Sequence, residues 1–435
     1  MATNSHNSVG AARRLPQALL LVLAAGIVGA GHTKALPVYD EDEDDGRDVA
    51  AQIAKKPTVE AAFPLESYGP GSVARLVISD RARRVVIQVR RVGTESGPIW
   101  GNDTMTGVPM TKKRVIGNVA GRRLVKVRLG DWPSGVYFVQ LTAPRGRVGY
   151  APFVLRPRHL GQNRVAVVMP TETWQAYNHR DDDADGTPDT WYAGGHTARL
   201  GRPFLDRGTP PHFKQYEAWW LRWLVQTHKA VDIISDAELR HAANGRGLAR
   251  AYSLLIFSGH HEYVTEHEYG VVKQFRDAGG NLIFLSANNF FWKIEIHDHV
   301  MYRVAQWRDL GRPEASLLGI QYFHNDSGKH RGNWIVRDAR RFEWLLAGTG
   351  LGNGGKISNG GIEADRMTSA SPRTTHVVAE IPNLYGRGMT AQMTYYETNA
   401  GAKVFAAGAF TLAGAIRQPK VARLMDNLFD RLSRP

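Results

Sequence analysis

The segment Ser258-Gly259-His260-His261-Glu262-Tyr263 sets imidazoles, a carboxylate and a phenol side by side. In an extended chain His260 and Glu262 project to one side and His261 to the other, so one face holds an imidazole and a carboxylate. Three further stretches are as rich: Met169-Pro170-Thr171-Glu172-Thr173-Trp174-Gln175-Ala176-Tyr177-Asn178, Ser286-Ala287-Asn288-Asn289 ahead of Phe290, Phe291 and Trp292, and Tyr395-Tyr396-Glu397. Any one of them alone reads as helix capping or loop hydrogen bonding. Together, each just past a short apolar run, they read as one site. The 435 residues include no cysteine, which removes thiol nucleophiles, zinc-cysteine sites and disulfides. Hydrolysis here would need a metal or a carboxylate-activated water.

A second constellation is Asp181-Asp182-Asp183-Ala184-Asp185-Gly186-Thr187-Pro188-Asp189. Alternate aspartates in a glycine-containing turn begin a calcium loop, so Asp181, Asp183, Asp185 and Asp189 are candidate Ca2+ ligands. Tyr192 stands where an EF-hand would carry its bidentate glutamate. A bound calcium would stiffen the loop beside Tyr177.

The elements that must position these residues follow two grammars. From Val59 to Arg156 the apolar pattern has period two, as in Val85-Val86-Ile87-Gln88-Val89 and Val136-Tyr137-Phe138-Val139-Gln140-Leu141, which predicts an all-β, immunoglobulin-like sandwich over residues 57–157. After Arg158, short apolar runs alternate with helical stretches, the pattern of a parallel sheet covered on both faces. Strands are expected at Val165–Val168, Val231–Ile234, Leu254–Phe257 and Asn281–Leu285, then at His376–Ile381, Met389–Glu397 and Lys403–Ala409. Helices are expected at Tyr216–Thr227, after Asp236, at Thr265–Ala278 and at Pro419–Leu432, with Gly348–Gly361 as loop. In such a sheet the ligand lies beyond the carboxyl ends of the strands, where the polar clusters fall.

Thr173-Trp174-Gln175-Ala176-Tyr177-Asn178, Arg202-Pro203-Phe204, Glu217 with Leu221-Arg222-Trp223-Leu224, Asp236, Gly259-His260-His261-Glu262-Tyr263 and Asn288 with Trp292 resemble, in this order, the large (beta) subunit core of N,N-dimethylformamidase. The resemblance covers Val165 to the C-terminus. It implies a class I glutamine-amidotransferase-like (flavodoxin-like) α/β domain over residues 158–435 with a mostly parallel sheet, and a mononuclear Fe(III) held by two tyrosinates and a glutamate. On that basis Tyr177 matches the first tyrosinate and Glu262 the carboxylate ligand. His260, Asn288 and Glu397 match the family's orienting and acid–base positions. Tyr216 is assigned as the second tyrosinate, with Tyr192 and Tyr263 left open; its spacing to Trp220 and Trp223 also suits a core residue. The implied reaction is hydrolysis of a C–N bond in a small or envelope-derived amide.

Basic residues number 55 against 41 acidic, a net charge of +14, which admits an anionic polymer or a membrane surface as partner and leaves self-association open. No aromatic-interleaved nucleic-acid motif is present. Arg13 and Arg14 precede an apolar run from Ala18 to Gly31, read as a signal peptide or N-terminal anchor over residues 1–35 of an exported protein. Residues 36–56, with six consecutive acids from Asp40 to Asp45, read as a solvated leader. The competing expectation is a non-catalytic envelope-binding protein that uses the basic sandwich for an anionic polymer and the aspartate loop for calcium.

Overall fold

Alternate residues of one short strand feed two different cores. In Val165–Met169, Val165, Val167 and Met169 pack with Trp220, Leu224, Leu424 and Leu428, while Ala166 and Val168 pack with Tyr269, Val272 and Phe275. A strand buried on both faces must be apolar throughout, which is why these runs are continuous rather than alternating. The computed structural model describes residues 58–99 and 101–434; the apolar run from Ala18 and the acidic leader lie outside the described residues. Among the described residues no helix is long and apolar enough to cross a membrane.

Five strands, Asp232–Ser235, Val165–Met169, Leu254–Phe257, Asn281–Phe284 and Lys403–Ala406, lie in that spatial order and pair in parallel. Numbered along the chain, the order is 2-1-3-4-5. The helix Glu266–Asp277 covers one face; its capping box has Glu268 Oε2 accepting from Thr265 N at 2.6 Å, a feature worth about 1 kcal/mol. Trp219–Gln226 and Pro419–Leu432 cover the other.

Beyond Lys403–Ala406 the pairing reverses. Ala391–Glu397, His376–Ile381, Arg331–Val336, Lys356–Arg366 and Gln321–Asn325 continue the same sheet as antiparallel strands. The large sheet is therefore parallel over five of its eleven strands, not mostly parallel. The stretch expected as loop from Gly348 to Gly361 gives way to the Lys356–Arg366 strand, because its Lys356–Gly361 half pairs with Arg331–Ile335 and its Glu363–Arg366 half with Gln321–Asn325. The helix expected from Tyr216 begins as a π-turn over Lys214–Ala218 before continuing as Trp219–Gln226. A separate small sheet of Thr197–Arg199, Val300–Gln306, Trp292–His297 and Tyr263–Thr265 is built on the residue that follows Glu262.

Ahead of this, two sheets enclose Leu76, Ile78, Val125 and Val127 from one side and Val85, Ile87, Val139 and Phe153 from the other. The outer residues of the larger sheet, Val136, Phe138 and Val154, share a core with Val167 and Trp220. An ionic network spans the same boundary. Arg240 pairs with Glu66 at 2.7 Å and with the fully buried Glu172, and Thr171 Oγ1 donates to Glu66 at 2.6 Å.

Candidate active site

Three strand ends deliver the functional side chains. After Met169 the short helix Thr171–Ala176 ends at Tyr177, whose N–H bonds to Thr173 O at 3.0 Å. The buried guanidinium of Arg202 donates to Gln175 O at 2.8 Å and Asn178 O at 3.2 Å, taking up carbonyls that a helix end leaves open. After Phe257 the chain runs through Gly259, where a Cβ would fall 2.1 Å from Glu217 Oε1, so any larger residue requires the Glu217 carboxyl to move. Glu262 N then donates to Thr173 Oγ1 at 3.1 Å, fixing one cluster to the other. After Phe284, Asn288 takes a left-handed conformation, φ 51°, and its N–H is accepted by Asp365 Oδ1 at 2.9 Å.

These elements bring Tyr177 and Tyr192 onto one oxygen. Tyr177 Oη donates to Glu262 Oε2 at 2.5 Å, and Tyr192 Oη to the same atom at 2.8 Å. The Tyr192 and Tyr263 hydroxyls are hydrogen-bonded in turn, and the Tyr177 and Tyr192 rings stack at 4.4 Å. His260 Nε2 stands 3.7 Å from Glu262 Oε2 and 3.8 Å from Glu363 Oε2. Asn325 Nδ2 donates to the other oxygen of Glu363 at 2.8 Å. Tyr216 is stacked on Phe410 at 5.0 Å and lines a cavity with Tyr177, Glu217, His212 and His260. That cavity leaves about 10 Å³ for the centre of a water-sized sphere, room for one small group.

Burial governs the electrostatics. Desolvation pushes the Glu262 carboxyl up to about 7, against hydrogen bonds from Tyr177, Tyr192 and Asn288 and the charge of Arg303. Burial, and then the nearby Glu262, raise Glu363 well above the carboxylate range, so the two do not ionise together without cost. The Tyr177, Tyr192 and Tyr263 phenols are likewise held well above 10, by burial first and Glu262 second. Burial keeps His260 neutral, with the charges of His261 and His212 acting the same way.

Among the described residues His260 Nε2, Glu363 Oε2 and Asn288 Oδ1 are buried without a hydrogen-bond partner. Such atoms are costly to leave unmet. A set of phenols and carboxyls, with three unmet polar atoms beside it, suits a hard cation that displaces protons, and Fe(III) is one. The donor set fits the group.

Tyr177, Glu262, His260 and Asn288 thus come together, and Tyr216 lines the adjoining cavity. Glu397 does not join them. Its strand is antiparallel to Lys403–Ala406 and pairs it with Lys403, at the amino ends of the parallel strands, where it accepts from Tyr395 Oη at 2.5 Å and meets Arg431 at 3.7 Å. The buried carboxyl beside His260 is Glu363. The alternation Ile362-Glu363-Ala364-Asp365 marked a strand with two carboxyls on one face, a signal available in the sequence. In the aspartate loop, Asp181, Asp183 and Asp189 each offer an oxygen within 4.8 Å of the others, and Asp185 lies outside this group, accepting from Thr187 N at 2.7 Å. Thr190 Oγ1 ties the end of this loop to Ala176 O at 2.6 Å, which carries Tyr192 onto Glu262.

The carboxyl edge of the parallel strands gathers phenols, carboxyls and an imidazole into one buried, metal-compatible cluster. The family described as N,N-dimethylformamidase beta subunit-like, C-terminal, matches residues 125–423, and the chain belongs to it. It is 22% identical over 162 residues to the N,N-dimethylformamidase beta subunit of Alcaligenes sp. and 24% over 162 residues to that of Paracoccus aminophilus. Each alignment covers 35% of this chain and 21% of the relative, so the matched stretch is about a fifth of their length. Among solved structures, a superoxide reductase (neelaredoxin) of Ignicoccus hospitalis is 12% identical over 28% of this chain and 94% of its own, with a TM-score of 0.18. A likeness that low carries nothing about function.

Proposed function

We propose that the protein hydrolyses the C–N bond of a small amide at a mononuclear ferric site held by Tyr177, Tyr216 and Glu262. The observation that carries this reading is the contact between two of these ligands: Tyr177 Oη lies 2.5 Å from Glu262 Oε2, an oxygen that Tyr192 Oη orients from 2.8 Å. Tyr216 is the second ligand in this reading because it lines the same cavity as Tyr177 and His260, whereas Tyr192 is hydrogen-bonded to Tyr263 and to Glu262, which it orients. A bound ferric ion would supply Lewis-acid polarisation of the amide carbonyl and an acidified water. Glu363, whose ionised form a neighbouring cation would favour, takes the proton of the attacking water and returns it to the leaving nitrogen, with His260 Nε2 beside it at 3.8 Å. The Asn288 amide donates to the oxygen on which charge develops. The five-strand order 2-1-3-4-5 supports assigning the parallel half to the flavodoxin-like, doubly wound class.

Metal analysis with absorption spectroscopy tests the site. The expected result is about one iron per chain, with a visible tyrosinate-to-iron band that Tyr177→Phe and Tyr216→Phe weaken and Tyr192→Phe leaves in place. A folded, colourless protein that takes up no iron overturns the reading. N,N-dimethylformamide is the first substrate to assay.

A second reading has its own observation. Strand register sets Arg75 opposite Lys126, Val73 opposite Arg128 and Ser79 opposite Arg122, which aligns four cations on one side of the Val73–Asp80 and Gly121–Arg128 pair. That side supports retention of an exported protein at an anionic polymer or membrane surface. Binding to anionic but not neutral vesicles, lost in about 0.5 M salt, is the expected outcome.

A further inference from the structure

We propose that Arg303 selects the substrate, and that the amide cleaved here carries a carboxylate close to the scissile bond. This rests on the hydrolytic reading above and adds the substrate class to it. Arg303 lies on the Val300–Gln306 strand, opposite Ile294. Its guanidinium is 4.4 Å from the Trp292 ring centroid and 5.6 Å from that of Trp191. The Trp191 ring stacks on Tyr263 at 4.9 Å, and the Tyr263 hydroxyl leads through Tyr192 to Glu262. The exposed guanidinium therefore stands at the outer end of a stack whose inner end is the buried carboxyl.

Three other arginines are paired with acids. Arg308 pairs with Glu314, Arg312 with Glu266 and Arg276 with Asp277. Among the described residues Arg303 has no ion pair and no hydrogen bond; its interactions are the two indoles and its long-range pull on Glu262 and Tyr263. Indole faces hold a guanidinium by its plane and leave its N–H edge unsatisfied, and that edge matches a carboxylate two bonds at a time. A cation fixed but not paired at the outer end of the stack that leads to Glu262 keeps its capacity for an incoming anion. A neutral amide gains nothing from it; an N-acyl amino acid, whose carboxylate is one carbon from the amide nitrogen, gains an anchor that orients the C–N bond.

The test compares N-formylglycine with N-formylglycinamide, which share the formyl C–N bond and carry a carboxylate or a neutral carboxamide beside it, with formate release as the readout and the full-length protein as purified. Wild type is expected to favour the acid about tenfold in kcat/KM, and the preference should shrink in salt, since the pair is exposed. In Arg303→Gln the acid-to-amide ratio should fall to near one, with Arg303→Lys between. Parity in wild type, or an equal loss on both probes in Arg303→Gln, overturns the proposal. Titration calorimetry provides a readout independent of turnover. If neither probe is hydrolysed but the acid binds and Arg303→Gln abolishes that binding, the anion site stands and the hydrolytic reading falls; acid binding unchanged in Arg303→Gln overturns the anion site.

Discussion

Tyr177 Oη and Glu262 Oε2 lie 2.5 Å apart across a sequence separation of 85 residues. Both groups are buried, and burial raises the pKa of each, so that of the carboxyl reaches about 7. Proton uptake by either group is thus favoured relative to water when no cation is beside them. A metal that replaces the shared protons turns the same geometry into a ligand set. Tyr177→Phe and Glu262→Gln should each lower iron affinity at least tenfold, about 1.4 kcal/mol, as read by metal competition; affinity unchanged in both would remove the site.

Glu363→Gln should reduce kcat by about a hundredfold or more, the scale of a lost general base, while Glu397→Gln stays within about twofold. Steady-state kinetics on the iron-loaded variants, with circular dichroism to verify folding, decides between the two carboxyls. The opposite ranking would return the acid–base role to Glu397.

Glu268 gives a pH prediction that does not involve the ligands. Burial raises its carboxyl to about 8, with Asp236 adding to the shift. The folded state holds this proton more tightly than the unfolded chain does, so the contribution is complete below the ordinary carboxylate range and is lost as pH rises through about 8. Urea unfolding from pH 5 to 9 should show stability falling with pH, and Glu268→Gln, which keeps the capping pattern, should flatten that slope.

Gly259→Ala should destabilise the fold by about 1–3 kcal/mol, since the new methyl would overlap Glu217 Oε1. The double variant with Glu217→Ala should recover part of this loss in denaturant melts. Equal effects of Gly259→Ala in both backgrounds would mean that the backbone, not the clash, is responsible.

Arg240→Met should cost about 3–5 kcal/mol, because it leaves Glu66 and the buried Glu172 without their cation. Restoring neutrality with Glu66→Gln and Glu172→Gln should regain much of that, read by thermal unfolding.

Much of the framework was legible residue by residue. The strand at His376–Ile381 and the helix at Pro419–Leu432 fall where periodicity sets them, and Thr265 begins its helix as a capping residue should. Strand direction was not legible from the alternation in Ala391–Glu397, since parallel and antiparallel strands share the same period. The clue lay in the connection: Thr398 to Ala402 is long enough for a hairpin and too short for the crossover a parallel strand requires. Reading the strand as parallel placed Glu397 on the wrong edge of the sheet and hid Glu363. The small sheet that holds Trp292 and Arg303 had no clear period, because its strands are partly exposed on both sides.

The sequence by itself determined the chemistry on offer: oxygen and imidazole donors without a thiol, positioned just after apolar strands that local periodicity can fix. Only the tertiary structure decided which of those donors meet. Proximity between Tyr177, Glu262 and Glu363 depends on how parallel and antiparallel halves of one sheet are joined, and that is set by long-range pairing, which no local pattern encodes.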